Sequence, residues 1–292
     1  MAVRVDHAVI NVLTGMDAAV DRFRALGFAP TPRGHHSLGS INHLMMFERD
    51  YLELVGIERG ATKVREEIAS APIGLDGLVF ATDDARALHR RLRAQGVPVL
   101  DPVDFSRPVV LDGVERQAAF TTVRVHPDYL PGGRVYCCEH KTPELVWRPD
   151  WLVHGNAAAG LAEFVVVADD VPTQAERYAR LLDGVPFLPT RTAGERCATW
   201  DGFRLSLMSR ERYAARYGAA GRARAAQAAQ AGCMGALAVR TRSLAAARSC
   251  LADDLRAGRA VDQGDRLVVA AAGLWDCVLE FVGPGQGAWP DA

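Results

Sequence analysis

Two hydrophobic periods take turns along this chain. Residues 5–12 read VDHAVINV, an apolar run that predicts a strand. The segment MDAAVDRFRAL follows, with Val20, Phe23 and Leu26 at helical spacing, and it stops at Gly27, where a left-handed helix cap fits. Strand-like stretches come next around HHSLGSI, INHLMMF and YLELVGI. The same order returns at DGLVFAT, with helix DDARALHRRLRAQ, Gly96 and strands near QAAFTTVRV, RVYCCEH and PELVW. It returns again at AEFVVVA, with VPTQAERYARLLD, Gly184, RCATWD and FRLSLM. The last copy opens at GALAVRT and runs through SLAAARSCLADDLRA, Gly258, RLVVAAA and CVLEFVG. The pattern predicts an α+β chain of four βαβββ modules, repeating at roughly 70 to 90 residues.

A sheet covered on one face by its own helix needs a partner, so the modules are expected to pair into two open barrels, each enclosing a cavity. The small, polar HGNAAAG between strand signals marks the boundary and gives a first domain over 1–156 and a second over 157–292. Two inserts interrupt the repeat. Residues 60–72 predict a short linker helix, and the Arg/Ala-rich residues 210–231, with Arg212, Arg216, Arg222 and Arg224, predict a solvated helix between modules.

Composition narrows the class. The 292 residues are 49% hydrophobic and 24% charged, which suits a packed globule. A net charge of −1 gives no footprint for nucleic acid or an anionic membrane, and no apolar run reaches membrane-spanning length. There is no signal-peptide pattern, and the six cysteines form no CxxC pair, so a reduced, cytoplasmic protein is expected.

Against that background, lone ionisable residues inside apolar strands stand out, because burying one without a partner is costly. Strand alternation puts Ala8, Ile10 and Val12 on one face and His7, Val9 and Asn11 on the other. It likewise puts Glu53 opposite Leu52 and Leu54, and in TPELVW it turns Glu144 inward, with Leu145 and Trp147 outward. The bland reading is a core histidine hydrogen-bonded to a carbonyl or to Glu53, and a turn role for Glu144. His36, Asn42 and His43, in the Gly-containing hairpin RGHHSLGSINH, are expected at a cavity mouth, where they would hold substrate oxygens, with His35 on the surface. His154 and Asn156 predict a turn.

The order DHAVINV, LGF, NHLMMF and YLELVGI resembles the vicinal oxygen chelate superfamily, which includes glyoxalase I, extradiol dioxygenases, fosfomycin-resistance enzymes and metal-free bleomycin-binding proteins. TPRGHHSLGSINHLMMF and EHKTPELVWRPDWLVHGNA are most similar to its glyoxalase-like domain group. The resemblance implies metal ligands on the first and last strands of paired modules: His7, Glu53 and, aligning TPELVW with YLELVG, Glu144. The fourth position falls on Gly77, which has no side chain; His140, four residues before Glu144, is the substitute considered. One imidazole and two carboxylates suit Fe, Mn, Zn or Ni equally. The expected function is a divalent-metal-dependent lyase or isomerase, or else a dioxygenase, on a small substrate with vicinal oxygens, with Glu144 and His140 as proton-handling residues. The alternative is a protein without any metal that sequesters a small molecule. The second pair has Glu163, Ser206 and Glu280 at the matching places, so it is expected to support the first or to mediate a homodimer contact.

Overall fold

The computed structural model describes residues 4–111, 113–227 and 232–284, the side chains of 223–227 excepted. The first module is β1 (Val5–Leu13), α1 (Met16–Ala25), β2 (Gly34–His35), β3 (Ile41–Met46) and β4 (Tyr51–Gly56). One helical turn, α2 (Glu66–Ala69), lies in the linker. The second module is β5 (Gly74–Ala81), α3 (Ala85–Ala94), β6 (Val103–Leu111), β7 (Val114–Arg124) and β8 (Arg134–His140). The third is β9 (Ala158–Val167), α4 (Val171–Leu181), β10 (Leu188–Pro189), β11 (Glu195–Trp200) and β12 (Phe203–Met208), followed by α5 (Arg210–Gln227). The fourth is β13 (Cys233–Thr241), α6 (Leu244–Cys250), α7 (Ala252–Arg256), β14 (Ala260–Asp262), β15 (Arg266–Val269) and β16 (Val278–Val282). All four modules read from the sequence are present.

Two eight-stranded sheets result, β2-β3-β4-β1-β5-β8-β7-β6 and β10-β11-β12-β9-β13-β16-β15-β14. In each, the first strands of the two modules pair antiparallel at the centre, and each also pairs parallel with the last strand of its own module. The first sheet curls until its ends meet: Ser106 accepts the Ser37 amide at 2.8 Å, and the Ser106 amide donates to Ser37 Oγ at 3.2 Å. Met16, Ala19, Val20 and Phe23 form the buried face of α1. The four helix-stop glycines, Gly27, Gly96, Gly184 and Gly258, have φ of 86°, 73°, 84° and 68°, conformations that a side chain would strain.

One apolar cluster, made of helix faces and outer sheet faces, runs through both halves, while each barrel interior has its own. A bidentate Arg22–Asp254 pair at 2.8 Å and the Asp50 carboxylate, which accepts the Leu161 amide at 2.9 Å, tie the halves together.

Three expectations change. PELVW is not a strand: Pro143 begins a single 3-10 turn over Pro143–Leu145. The missing strand is β6, whose Pro108 is tolerated because β6 ends the sheet order. The Arg/Ala-rich insert is helical as expected but not simply solvated. Its Tyr213 and Tyr217 are buried in the second barrel, Arg212 donates to the buried Glu195 at 2.8 Å, and Gly218 (φ 50°) breaks the helical geometry. Arg222 is exposed; the Arg224 side chain and residues 228–231 lie outside the described residues.

Candidate functional site

The cavity of the first barrel is lined by His7 and Val9 from β1, Asn42 and Leu44 from β3, and Tyr51, Glu53 and Val55 from β4, so the alternation read from the sequence holds on these strands. It is small: the centre of a water-sized sphere can range over about 30 Å³, which suits a ligand of a few non-hydrogen atoms.

Register identifies the equivalent positions. Val9 pairs with Glu53 on β4 and with Gly77 on β5, and His7 pairs with Val79, whose partner on β8 is Tyr136. The internal pseudo-twofold therefore relates His7 to Gly77 and Glu53 to Tyr136. A Cβ built at Gly77 would sit 2.7 Å from Val9 Cβ and Cγ2, so the Val9 side chain blocks a donor there. Two β-bulges flank this centre, at Asp6 on β1 and at Asp76 on β5. The bulge sets the Asp6 carboxylate beside His7: Oδ2 lies 2.7 Å from His7 Nδ1 and 2.9 Å from His140 Nε2. Burial by itself would raise the Asp6 carboxyl, but the charge of His140 and hydrogen bonds from His140 and His7 outweigh it and hold the group well below the usual range.

With Nδ1–H donating to Asp6, the lone pair of His7 Nε2 faces the cavity. It lies 3.3 Å from Tyr136 Oη and 3.6 Å from Glu53 Oε2, while Asn42 Nδ2 donates to Glu53 Oε1 at 2.7 Å. Burial works to raise Glu53, yet its electrostatic coupling to the His7 and His36 imidazoles and the Asn42 hydrogen bond leave it lowered. Tyr136 is raised by burial and by Glu53, so it is a neutral phenol that donates to His7. His36 lines the cavity, bonded to Ser40 Oγ at 2.8 Å through Nδ1, and burial pushes it down to about 4, so it is neutral at pH 7. Three guanidinium groups complete the wall. Arg65 pairs with Glu67 and Arg134 with Asp76, whereas Arg107 lies on β6 among Phe105, Val109 and Leu111.

Several sequence-predicted residues lie elsewhere. Glu144 is exposed on the 3-10 turn and lines a separate surface cleft, so it is not the third donor; TPELVW was aligned where RVYCCEH belongs, and Tyr136 holds that place. His140 does not stand in at Gly77: it lies four residues beyond Tyr136 on β8, bonded to Asp6 and lining the same outer cleft. His43 faces away from its neighbour Asn42, its Nδ1 on the Thr31 carbonyl at 2.7 Å, so it does not reach the cavity. His35 is exposed. His154 accepts the Ala29 amide and donates to the Met46 carbonyl, a structural knot at the turn. Sequence reasoning missed Asp6, Tyr136 and the arginines. The repeated aspartate in VDH and LDG was the available signal for Asp6, and the inward row Arg134, Tyr136, Cys138 of RVYCCEH was the one for Tyr136.

The donor set fits a divalent ion on three of four positions. The spacings of 3.3 and 3.6 Å match adjacent donors about 2.0–2.2 Å from one ion, Asp6 orients the imidazole as ligand histidines are usually oriented, and Glu53 Oε2 is turned to the cavity. A second group, Asp6, Cys138 and His140, brings one donor atom each within 4.8 Å. Burial raises its Cys138 thiol well above the ordinary value, and its Asp6 is already held by two imidazoles.

The chain is similar in structure to a hypothetical protein from Staphylococcus aureus (10% identity, TM-score 0.65, covering 96% of this chain and 99% of that one). It is also similar to a mutant of 4-hydroxymandelate synthase from Streptomyces coelicolor (15%, 0.57, 97% and 92%). A fusion of a xylose isomerase-like TIM barrel with a 4-hydroxyphenylpyruvate dioxygenase matches over 96% of this chain and 48% of its own length (14%, 0.58). No curated protein matches. The family described as Glyoxalase-like domain matches residues 5–182, which span the first barrel and run to the end of α4. With more than half its length matched and its modules paired in this way, the chain belongs to the glyoxalase-like domain family and has the vicinal oxygen chelate fold.

Proposed function

We propose that the first barrel is the active centre of a lyase or isomerase acting on a small substrate with neighbouring oxygens. The observation that carries this reading is His7 Nε2, oriented by Asp6, lying 3.6 Å from Glu53 Oε2 and 3.3 Å from Tyr136 Oη in the barrel cavity. His7, Glu53 and Tyr136 would hold a divalent ion, which when bound supplies Lewis-acid polarisation of substrate oxygens. With Oε2 free of the ion, Glu53 would take a proton there from the substrate carbon while Asn42 steadies Oε1. With its oxygen likewise free, Tyr136 would donate its O–H to the oxygen where negative charge develops. The apolar wall of Val9, Leu44, Val55 and Ile68 keeps water from the reacting carbon.

A second reading, sequestration of a small molecule without a metal, is favoured by one observation, the steric block of the fourth donor position by Val9. Metal content by mass spectrometry, with titration of Mn, Fe, Zn and Ni into chelator-stripped protein, separates the two. The expected result is one ion per chain, lost in His7→Ala and weakened by at least 10-fold in Glu53→Gln. Wild-type protein that binds none of the four ions would overturn the catalytic reading in favour of sequestration.

A further inference from the structure

The cavity wall holds a charge that no protein group answers. Arg107 is only 6% exposed and points inward from β6 in the row Phe105, Arg107, Val109 and Leu111. Among the described residues its guanidinium makes no hydrogen bond and no ion pair; Glu53 and the Tyr51 hydroxyl reach it only through their field. Glu53 is committed to Asn42 and His7. A second guanidinium repeats the theme from β8: Arg134 is held by Asp76 through Nε, and its Nη2 is buried without a partner. A third, Arg65, also lines the cavity but is answered by Glu67, as Arg134 Nε is by Asp76, which leaves Arg107 as the lining guanidinium without an ion-pair partner among the described residues.

The backbone accommodates this placement. A Cβ built at Gly34 on β2 would lie 3.0 Å from Arg107 Cδ and 2.2 Å from Asn42 Oδ1, so any side chain there would push Arg107 and Asn42 from where they meet. An unpaired buried guanidinium is costly to fold around, and its planar fork matches a carboxylate bidentately. A bulky or extended ligand does not suit so small a space.

We infer that the substrate is a short carboxylic acid, its carboxylate paired with Arg107 and its oxygen-bearing carbon turned toward His7 and Glu53. This rests on the reading of the cavity as the substrate site, and it holds with or without an ion.

The test uses the full chain in excess EDTA, with thermal shift and calorimetry against sodium glycolate, its neutral amide glycolamide, and methylphosphonate. Glycolate is expected to raise Tm saturably and glycolamide not to. Arg107→Met should weaken glycolate by about 10-fold or more, with Arg107→Lys intermediate. Without ligand, Arg107→Met should melt no lower than wild type, because it removes a buried charge that has no partner. Equal shifts from glycolate and its amide would overturn the inference in the unmodified protein, where no variant has to fold. Unchanged glycolate affinity in Arg107→Met would overturn it too, as would clear destabilisation of that variant without ligand, which would make Arg107 structural. Tighter binding of methylphosphonate would overturn the carboxylate assignment in favour of a tetrahedral oxyanion. Because chelator is present throughout, failure of the metal reading leaves these outcomes unaffected, and the two fail separately.

Discussion

The two barrels share one fold and use their centres in opposite ways. At the four equivalent positions the first carries His7, Glu53, Gly77 and Tyr136; register places Glu163, Ser206, Ala236 and Glu280 there in the second. In the second barrel α5 inserts a guanidinium between the two acids: Arg216 donates to Glu163 Oε1 at 3.0 Å and to Glu280 Oε1 at 2.9 Å. Tyr217 donates to Glu280 Oε1 at 2.5 Å, Ser206 donates to Glu163, and Arg204 is 2.7 Å from Glu195. Burial would raise Glu163, but the Arg216 guanidinium outweighs it and holds the carboxyl down. The centre of the second barrel is thus an internal ion-pair network. In the first, the corresponding insert is a single turn, α2, which packs Ile68 into the wall and leaves a cavity with an unanswered guanidinium. The lesson is that the fold supplies a polar centre twice, and the insert after β4 or β12 decides whether that centre is filled by the chain or left for a ligand.

The largest effect that tests this contrast is Arg216→Met. It removes the guanidinium shared by Glu163 and Glu280, leaving Glu163 with Ser206 and with Arg204 at 3.5 Å and Glu280 with Tyr217 and with Arg266 at 3.3 Å, and should cost about 3 kcal/mol in urea unfolding, with part of the loss recovered when both acids are also made Gln. A loss under about 1 kcal/mol would mean the network does not hold the second barrel together. Arg107→Met in the first barrel is the opposite case, with no loss expected.

A smaller effect comes from pH. All eight histidines precede residue 155, so their titration reports the first barrel alone. His36 is pushed down from 6.5 to about 4, so between those values the unfolded chain binds more protons than the folded one. Stability is therefore greatest above pH 6.5 and falls as pH drops toward 4. For this half-buried group the loss is roughly 2 kcal/mol. Asp50 works in the opposite sense, since burial raises it to about 7. The readout is accordingly the difference between wild type and His36→Gln in unfolding free energy at pH 7 and pH 4.5, which should shrink at the lower pH; a constant difference refutes the assignment.

The smallest effect belongs to Glu144→Ala. Exposed and outside the cavity, Glu144 should change stability by less than about 0.5 kcal/mol and leave metal and glycolate binding untouched. A loss of metal binding in this variant would restore the ligand set aligned from the sequence.

Much of the centre was legible beforehand because strand parity is local. His7 and Glu53 each sit in an apolar strand whose alternation fixes a face, and the structure puts both in the cavity wall with Asn42. Glu144 was misplaced because PELVW imitates YLELV, while Pro143, which favours a helical turn, carried the contrary signal. Arg107 was missed because no strand was read over residues 103–111, which form β6 at the end of the sheet order, where Pro108 is tolerated. The Asp6 bulge breaks parity, so its carboxylate reaches His7 where simple alternation would turn it away.

The sequence by itself determined the four modules, their helix stops and the faces of the central strands, since these follow from periods of two and 3.6 residues and from glycine's access to positive φ. Tertiary structure alone decided which last-strand residue meets His7, which arginine lacks a partner and which barrel is filled. Each of these depends on register between distant strands and on the path of an insert, and no local periodicity encodes either.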